Sequence, residues 1–118
     1  MIPDLADLEP MLEPFELLEL QPNQVAELIP EGFLLGKAKI NPRDGRPPKV
    51  VPVLRLAMSL DTKPTLPQWW DITSKNLIAG MLGHLQNGAP GSKIYKIQKL
   101  GDGPRARFTL DVSPVPGR

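Results

Sequence analysis

The sequence predicts an α+β fold in which one amphipathic helix covers one face of a small, mostly antiparallel sheet, in the order strand, strand, helix, strand, strand. Two observations predict it. Four segments that follow residue 31 alternate apolar and polar residues with the period of two that half-buried strands show. Between the second and third of these segments, the apolar residues of "SKNLIAGMLGHL" recur at helical spacing. The chain of 118 residues has the length of a single domain.

An OB-like barrel is the alternative fold, because that barrel also carries a helix between its third and fourth strands. It requires one more strand before the helix. The segment "FELLEL" (15–20) is the only candidate for that strand, so the barrel ranks second.

Charge divides the chain into an acidic arm (residues 1–31), a basic domain (residues 32–113) and a short frayed tail (residues 114–118). The arm has eight acids and neither lysine nor arginine, so its charge is −8. The rest of the chain holds all 14 bases and five acids, which gives +9. An asymmetry of this kind indicates a polyanionic partner, or an arm that imitates one.

The arm allows two interpretations. Its mixture of leucines and acids is typical of a segment that is disordered alone and orders against a partner. Its leucines can equally cover the core of the domain as short helices, with "NQVAEL" (23–28) the best candidate for a helical turn or two. Five prolines exclude one long helix.

The first two strands of the domain carry bases on the side that is predicted to face solvent. In "GFLLGKAKI" (32–40) these bases are Lys37 and Lys39, and in "VVPVLRLAMSL" (50–60) the base is Arg55. The inward residues of the two strands are Leu34, Gly36, Ala38 and Ile40, and then Leu54, Leu56, Met58 and Leu60.

The helix begins after Thr73, a plausible N-cap, and ends at "QNGAPG" (86–91), where Gly88 suits the left-handed position beyond a helix. Its apolar stripe comprises Leu77, Ile78, Met81, Leu82 and Leu85.

Two further strands follow the helix, "KIYKIQKL" (93–100) and "RARFTLDV" (105–112), joined by a tight turn at "GDGP" (101–104). The last strand alternates most regularly. Its inward residues are Ala106, Phe108, Leu110 and Val112, and its outward residues are Arg105, Arg107, Thr109 and Asp111.

If these strands share one sheet, their outward bases converge on the face opposite the helix. Nucleic-acid-binding surfaces need several bases on one side to meet phosphates, and single-strand binders add aromatic rings that stack on bases. Bases on solvated strands also serve solubility and protect edges from pairing, which is the competing explanation. The predicted nucleic-acid-binding residues are Lys37, Lys39, Arg43, Arg46, Arg55, Trp69, Trp70, Tyr95, Lys96, Arg105 and Arg107.

Two neighbouring tryptophans, Trp69 and Trp70, precede the helix. Extended chain directs consecutive side chains to opposite sides, so one ring can anchor in the core while the other meets a partner. The helix face away from the apolar stripe carries two glycines, each about 1 kcal/mol less favourable than alanine. Close approach of another backbone would explain them. The predicted partner contacts are therefore Asn76, Gly80 and Gly83.

Little in the sequence favours catalysis. The chain has one histidine, no cysteine and no glycine-rich phosphate-binding motif, and its acids show no paired spacing. No apolar run approaches the ~20 residues of a membrane helix, and no signal peptide is evident. We therefore expect a non-enzymatic, cytoplasmic protein without metal or cofactor.

Two functions remain open. The first is a small, sequence-tolerant nucleic-acid-binding protein that prefers single strands, with an acidic arm that competes for the basic face or recruits a partner. The second is a structural or assembly adaptor, such as a virion component or a complex subunit, whose arm docks on a neighbouring protomer of a homo-oligomer.

Overall fold

The computed structural model describes Leu12 and residues 16–40, 45–89, 91–101 and 106–116. These residues form six strands and one helix. The elements are β1 (Val25–Leu28), β2 (Gly32–Ile40), β3 (Lys49–Ala57), β4 (Trp69–Ile72), α1 (Lys75–Gln86), β5 (Lys93–Leu100) and β6 (Arg107–Pro114).

The strands form two antiparallel sheets of three strands each. Sheet A has the order β2-β3-β4 and sheet B the order β1-β5-β6. The α+β class, the antiparallel pairing and the helix between two groups of strands are confirmed. The expectation of one sheet is wrong, because two short strands complete two separate sheets.

The strand β1 lies where the sequence suggested a helical turn. Asn23 adopts the left-handed conformation with φ 65°, and its N–H donates to the carbonyl of Lys99 over 2.7 Å. This contact aligns the following residues with β5, where Leu28 lies opposite Tyr95. The helical interpretation of "NQVAEL" is therefore wrong.

Both sheets and the helix share one main core. The apolar stripe of α1 is confirmed at Leu77, Ile78, Met81 and Leu82, all of which are buried. Sheet A contributes Leu54, Leu56 and Ile72 to this core, Met58 joins it just after β3, and sheet B contributes Leu28, Tyr95 and Ile97. Leu60 lies beyond the end of β3 and is 58% exposed, so its predicted inward position is wrong.

The N-cap of α1 differs from the prediction by one residue, and its C-terminal end lacks the predicted left-handed glycine. Ser74, not Thr73, is the N-cap, and its Oγ accepts from the backbone N–H of Leu77 over 3.4 Å. Asn87 ends the helix, because its backbone and side-chain N–H groups both donate to the carbonyl of Gly83. Gly88 has no positive φ and does not fill the left-handed position.

The register of sheet A places the bases of β2 and β3 on opposite faces. Lys37 lies opposite Pro52, and Lys39 lies opposite Val50, on the face that carries Leu54. Arg55 lies opposite Leu34, on the other face. The prediction that Lys37, Lys39 and Arg55 share a face is therefore wrong. The error arose because β2 is apolar on both faces, so its alternation alone did not identify the core side.

The chain before β1 contacts both edge strands of sheet A. The N–H of Leu12 donates to the carbonyl of Lys37 in β2 over 2.8 Å. At the other edge, Asp71 N–H donates to the carbonyl of Glu16 over 2.7 Å, and Leu18 N–H donates to the carbonyl of Asp71 over 3.0 Å. "FELLEL" thus contributes a parallel bridge at Leu17 in place of a strand.

Leu12 also forms a second, smaller apolar cluster. Its side chain is 3% exposed and packs with Ala38 and Val53, which are fully buried. These residues lie on the face of sheet A opposite the main core, which we call the outer face of sheet A. The described part of the arm therefore covers the domain itself. No helix among the described residues is long and apolar enough to cross a bilayer.

Candidate functional site

A buried ion pair occupies the outer face of sheet A. Asp71 is 0% exposed, and its carboxylate accepts from Nε of Arg55 over 2.8 Å and from Nη2 of Arg55 over 3.1 Å. The backbone N–H of Glu16 donates to the same carboxylate over 3.0 Å. A buried carboxylate needs such partners, and a two-point guanidinium contact is among the strongest. Arg55 is thus the counterion of Asp71.

The two tryptophans lie on opposite faces of β4. Trp70 packs against the main core, whereas Trp69 lies opposite Ala57 on the outer face of sheet A. The guanidinium carbon of Arg55 lies 4.5 Å from the centre of the Trp69 ring, within cation–π range. The predicted divergence of the two rings is confirmed. The indole N–H of Trp69 is buried without a hydrogen-bond partner among the described residues.

Lys63, which is not among the predicted site residues, binds the arm through Glu16. It lies in the loop between β3 and β4 and is 2% exposed. Its ammonium donates to Oε1 of Glu16 over 3.2 Å and to the carbonyl of Pro67, and it lies 5.5 Å from the Trp70 ring. Glu16 is therefore held twice, by its backbone at Asp71 and by its carboxylate at Lys63. The 47 positions between Glu16 and Lys63 leave no local pattern that could have shown this pairing.

The most concentrated positive charge belongs to residues 37–49, which we call the basic hairpin. This segment contains five bases and one acid, namely Lys37, Lys39, Arg43, Arg46 and Lys49 with Asp44. Lys39, Arg46 and Lys49 are exposed and Lys37 is half-buried. Arg43 and Asp44 lie outside the described residues. A local excess of one sign creates a potential that attracts polyanions.

The outer face of sheet B, by contrast, carries both signs of charge. Lys96 lies 3.5 Å from the carboxylate of Glu27 and opposite Asp111 in the register of β5 and β6. Arg107 is exposed on the same face, opposite Leu100. Arg105 and the turn predicted at "GDGP" from Asp102 onward lie outside the described residues.

Tyr95 does not present its ring to solvent. It is 2% exposed and packs in the main core, and burial raises the pKa of its hydroxyl above the usual 10.0. Its predicted role as a stacking platform is wrong. Each of the two alternating sets of β5 residues contains both lysine and apolar residues, so the sequence alone does not assign the inward face, and the structure places the set with Tyr95 inward.

The predicted nucleic-acid-binding bases that the structure describes fall in three places: the basic hairpin, the buried pair at Arg55 and the outer face of sheet B. The expectation that the strand bases converge on one face is therefore wrong. It assumed one sheet, and two sheets with separate outer faces divide the bases between them.

The residues predicted to contact a partner lie on the exposed side of α1. A Cβ atom on Gly80 would lie 3.3 Å from Cδ2 of Leu110, so the glycine allows α1 to approach β6 closely. Apart from its own helix, no described residue has an atom within 4 Å of the Cβ position of Gly83. Asn76 and Gly80 line an open groove between α1 and residues 106–110, which include Phe108.

Comparisons of the chain with protein-family models, with curated proteins and with solved structures found no match. Within the described ranges, no group of three or more histidines and acids is placed to hold a metal ion. The proposals below therefore rest on the geometry and charge of this chain.

Proposed function

We propose that the protein binds single-stranded nucleic acid with little sequence preference, through the basic hairpin. The observation that carries the proposal is the charge of that segment, five bases and one acid within residues 37–49. Lys39, Arg46 and Lys49 are exposed there. Each phosphate that such bases neutralise releases counterions, which favours binding whatever the base sequence.

An OB-like arrangement supports the preference for single strands. Only three residues separate β1, which pairs with β5, from β2, which pairs with β3. We count β1 and β2 together as one bent first strand. The order is then strand (β1 with β2), strand (β3), strand (β4), helix (α1), strand (β5) and strand (β6), which is the order of an OB barrel. Such barrels bind oligonucleotides on strands two and three and on the loops between strands one and two and four and five. The equivalent parts here are β3 and β4, together with the chain segments that join β2 to β3 and β5 to β6.

The arm competes with nucleic acid for this surface. Leu12 lies on the outer face of sheet A, and the backbone N–H of Glu16 binds Asp71 on the same face. The arm carries a charge of −8, so it is attracted to the basic hairpin as a nucleic acid is. A segment tethered by a short linker acts at an effective concentration in the millimolar range. When nucleic acid displaces the arm, the ring of Trp69 becomes available for stacking on a base.

A fluorescence titration tests the proposal. Trp69 and Trp70 are the only tryptophans, so their emission reports binding of short single-stranded or duplex oligonucleotides to the full chain. We expect tighter binding to the single strand and a log–log salt dependence of roughly −0.7 for each phosphate contacted. Undetectable binding at low salt, or binding that does not respond to salt, contradicts the proposal.

A matched pair of variants locates the binding surface. Lys49→Gln removes one exposed charge from the basic hairpin, and Lys75→Gln removes one exposed charge from the start of α1. We expect Lys49→Gln to weaken binding and to reduce the salt slope by about 0.7, with little change for Lys75→Gln. Equal effects of the two variants would mean that only the net charge matters.

The role of the arm is tested in the full chain, because removal of residues 1–31 would also remove β1 and the buried Leu28. We expect the triple variant Asp4→Asn, Asp7→Asn, Glu9→Gln to bind oligonucleotides more tightly. The control carries the same change of net charge at exposed acids outside this leading part of the arm, Glu27→Gln, Glu31→Gln and Asp61→Asn. Competition by the arm predicts the larger gain for the first variant, and equal gains would rule it out.

A second candidate function is an assembly adaptor. It is favoured by two exposed leucines in the loop between β3 and β4, Leu60 at 58% and Leu66 at 79% exposure. Exposed apolar side chains of this kind are typical of protein contacts when they form a patch. An oligomer of defined mass that ignores oligonucleotides would favour this function over the first.

A further inference from the structure

The edge strands of the two sheets differ in what covers them. In sheet A, both β2 and β4 receive backbone hydrogen bonds from the chain that precedes β1. In sheet B, the edge strand β1 has four residues and the edge strand β6 has eight. Among the described residues, none donates or accepts a backbone hydrogen bond along the free side of β6 between Arg107 and Pro114.

The strand β6 is exposed and free of proline up to its last residue. Five of its eight residues are exposed and none is buried, and its only proline is Pro114. An unpaired edge of this length is a template for pairing with another strand. Its exposed charges, Arg107 and Asp111, oppose pairing with a partner of unmatched charge.

The side chains of β6 favour one partner and one register. Arg107 and Asp111 lie on the same face, two positions on either side of Thr109. If two copies of β6 pair antiparallel with Thr109 opposite Thr109, each Arg107 lies opposite the Asp111 of the other copy. Opposite charges in directly facing positions stabilise a strand pair. Centring the pair on Asp111 would instead place two carboxylates face to face.

The apolar face of the strand is compatible with the same register. Phe108, which is 40% exposed, would lie opposite Leu110 of the other copy. Both residues line the open groove beside α1, where Asn76 and Gly80 complete the wall. A second strand beside β6 would cover these side chains.

We propose that the protein forms a two-fold dimer in which β6 pairs antiparallel with β6 of a second copy, centred on Thr109. The dimer joins two copies of sheet B into one six-stranded sheet. Each copy places its Arg107 opposite the Asp111 of the other copy, so the same patch is complementary to itself, as a two-fold contact requires. The inference does not depend on nucleic-acid binding.

The first test measures the mass of the full chain by sedimentation equilibrium over a series of concentrations. We expect a reversible monomer–dimer equilibrium. A chain that stays monomeric at the highest concentration overturns the proposal.

The second test uses the position on the two-fold axis. Thr109 is exposed, and its neighbour on β5 is the uncharged Gln98. Thr109→Lys and Thr109→Glu each place two like charges opposite one another at the axis, and each should raise the dimer dissociation constant about fivefold. An equimolar mixture of the two variants should recover dimers, because Lys then faces Glu. Failure of the mixture to recover dimers overturns the proposal, and circular dichroism of each variant confirms that it is folded.

The third test reverses a charge. Arg107→Asp would place Asp opposite Asp111 twice in each dimer, and we expect the dissociation constant to rise about tenfold or more. The matched control Lys75→Asp changes an exposed lysine of α1 and should leave the constant unchanged. A dimer that responds equally to both variants, or to neither, forms through another surface.

Discussion

The two sheets of this protein have the same number of strands and differ in how their outer faces are completed. Sheet A carries a buried carboxylate, a guanidinium partner and an apolar cluster, and the preceding chain binds both of its edge strands. Sheet B carries an exposed ion pair, and its longer edge strand has no backbone partner on its free side within the described ranges. The outer face of sheet A is therefore covered by the arm in the folded chain, whereas that of sheet B is open to association.

The variant that tests this comparison most strongly is Asp71→Ala. It leaves the guanidinium of Arg55 and the N–H of Glu16 without their acceptor. Removing one partner of a buried pair costs about 3 kcal/mol, and we expect this loss in the free energy of unfolding by urea. The control Asp61→Ala removes an exposed acid and should stay within about 0.5 kcal/mol. Similar losses in the free energy of unfolding for Asp71→Ala and Asp61→Ala would show that the buried pair stabilises the fold no more than an exposed acid does.

A second test compares two leucines of the arm. Leu12 is 3% exposed and packs on Ala38 and Val53, whereas Leu17 is 43% exposed. Leu12→Ala should reduce the free energy of unfolding by about 2 kcal/mol. Leu17→Ala should change it by no more than about 0.5 kcal/mol. If Leu12→Ala proves as mild as Leu17→Ala, the arm does not stabilise sheet A.

A third test concerns the core face of sheet B. Burial raises the pKa of Tyr95 in the folded state above 10.0, so the unfolded chain loses this proton at lower pH than the folded chain. The contribution of this pKa difference to the free energy of unfolding is fully present below pH 10. It is lost as the pH rises from 10 through the raised pKa of Tyr95. For this one group, the free energy of unfolding falls with pH by at most about 1.4 kcal/mol per pH unit. Tyr95→Phe should remove this part of the alkaline destabilisation in urea unfolding measured between pH 9 and 11 (roughly one unit to either side of the reference value). Because Tyr95 is the only tyrosine, tyrosinate absorbance provides an independent check.

The smallest effect is expected for the ion pair on the outer face of sheet B. Glu27 lies 3.5 Å from Lys96 and both side chains are exposed. Exposed pairs contribute 0 to about 1 kcal/mol, so Glu27→Ala should lower the urea midpoint only slightly. A loss of stability as large as that of Asp71→Ala would mean that the outer faces of the two sheets contribute equally to stability.

Local patterns predicted the elements whose alternation has one clear apolar side. In β6, the inward positions of Leu110 and Val112 followed from the period of two, and the helix followed from its stripe. The face of β2 did not follow, because Leu34 and Leu35 are equally apolar and only the pairing with β3 distinguishes them. The short β1 was missed, since its order depends on β5, which lies about 70 residues further along the chain.

The candidate site was less predictable than the fold. The charge of the basic hairpin is visible in the sequence because its five bases all lie within residues 37–49. The partners of Arg55 and Lys63 cannot be predicted from the sequence. Strand register brings Asp71 to Arg55, and the path of the arm brings Glu16 to Lys63. A base on an outward strand position was read as a surface charge, and the structure instead gives Arg55 a buried counterion.

The bond between Glu16 and Asp71 has a consequence for biosynthesis. The two residues are 55 positions apart, and Glu16 leaves the ribosome first. At ordinary translation rates it waits roughly 3–11 s before Asp71 is even made. During that interval the leading leucines have no surface to cover, and the acids among them keep the nascent segment hydrated.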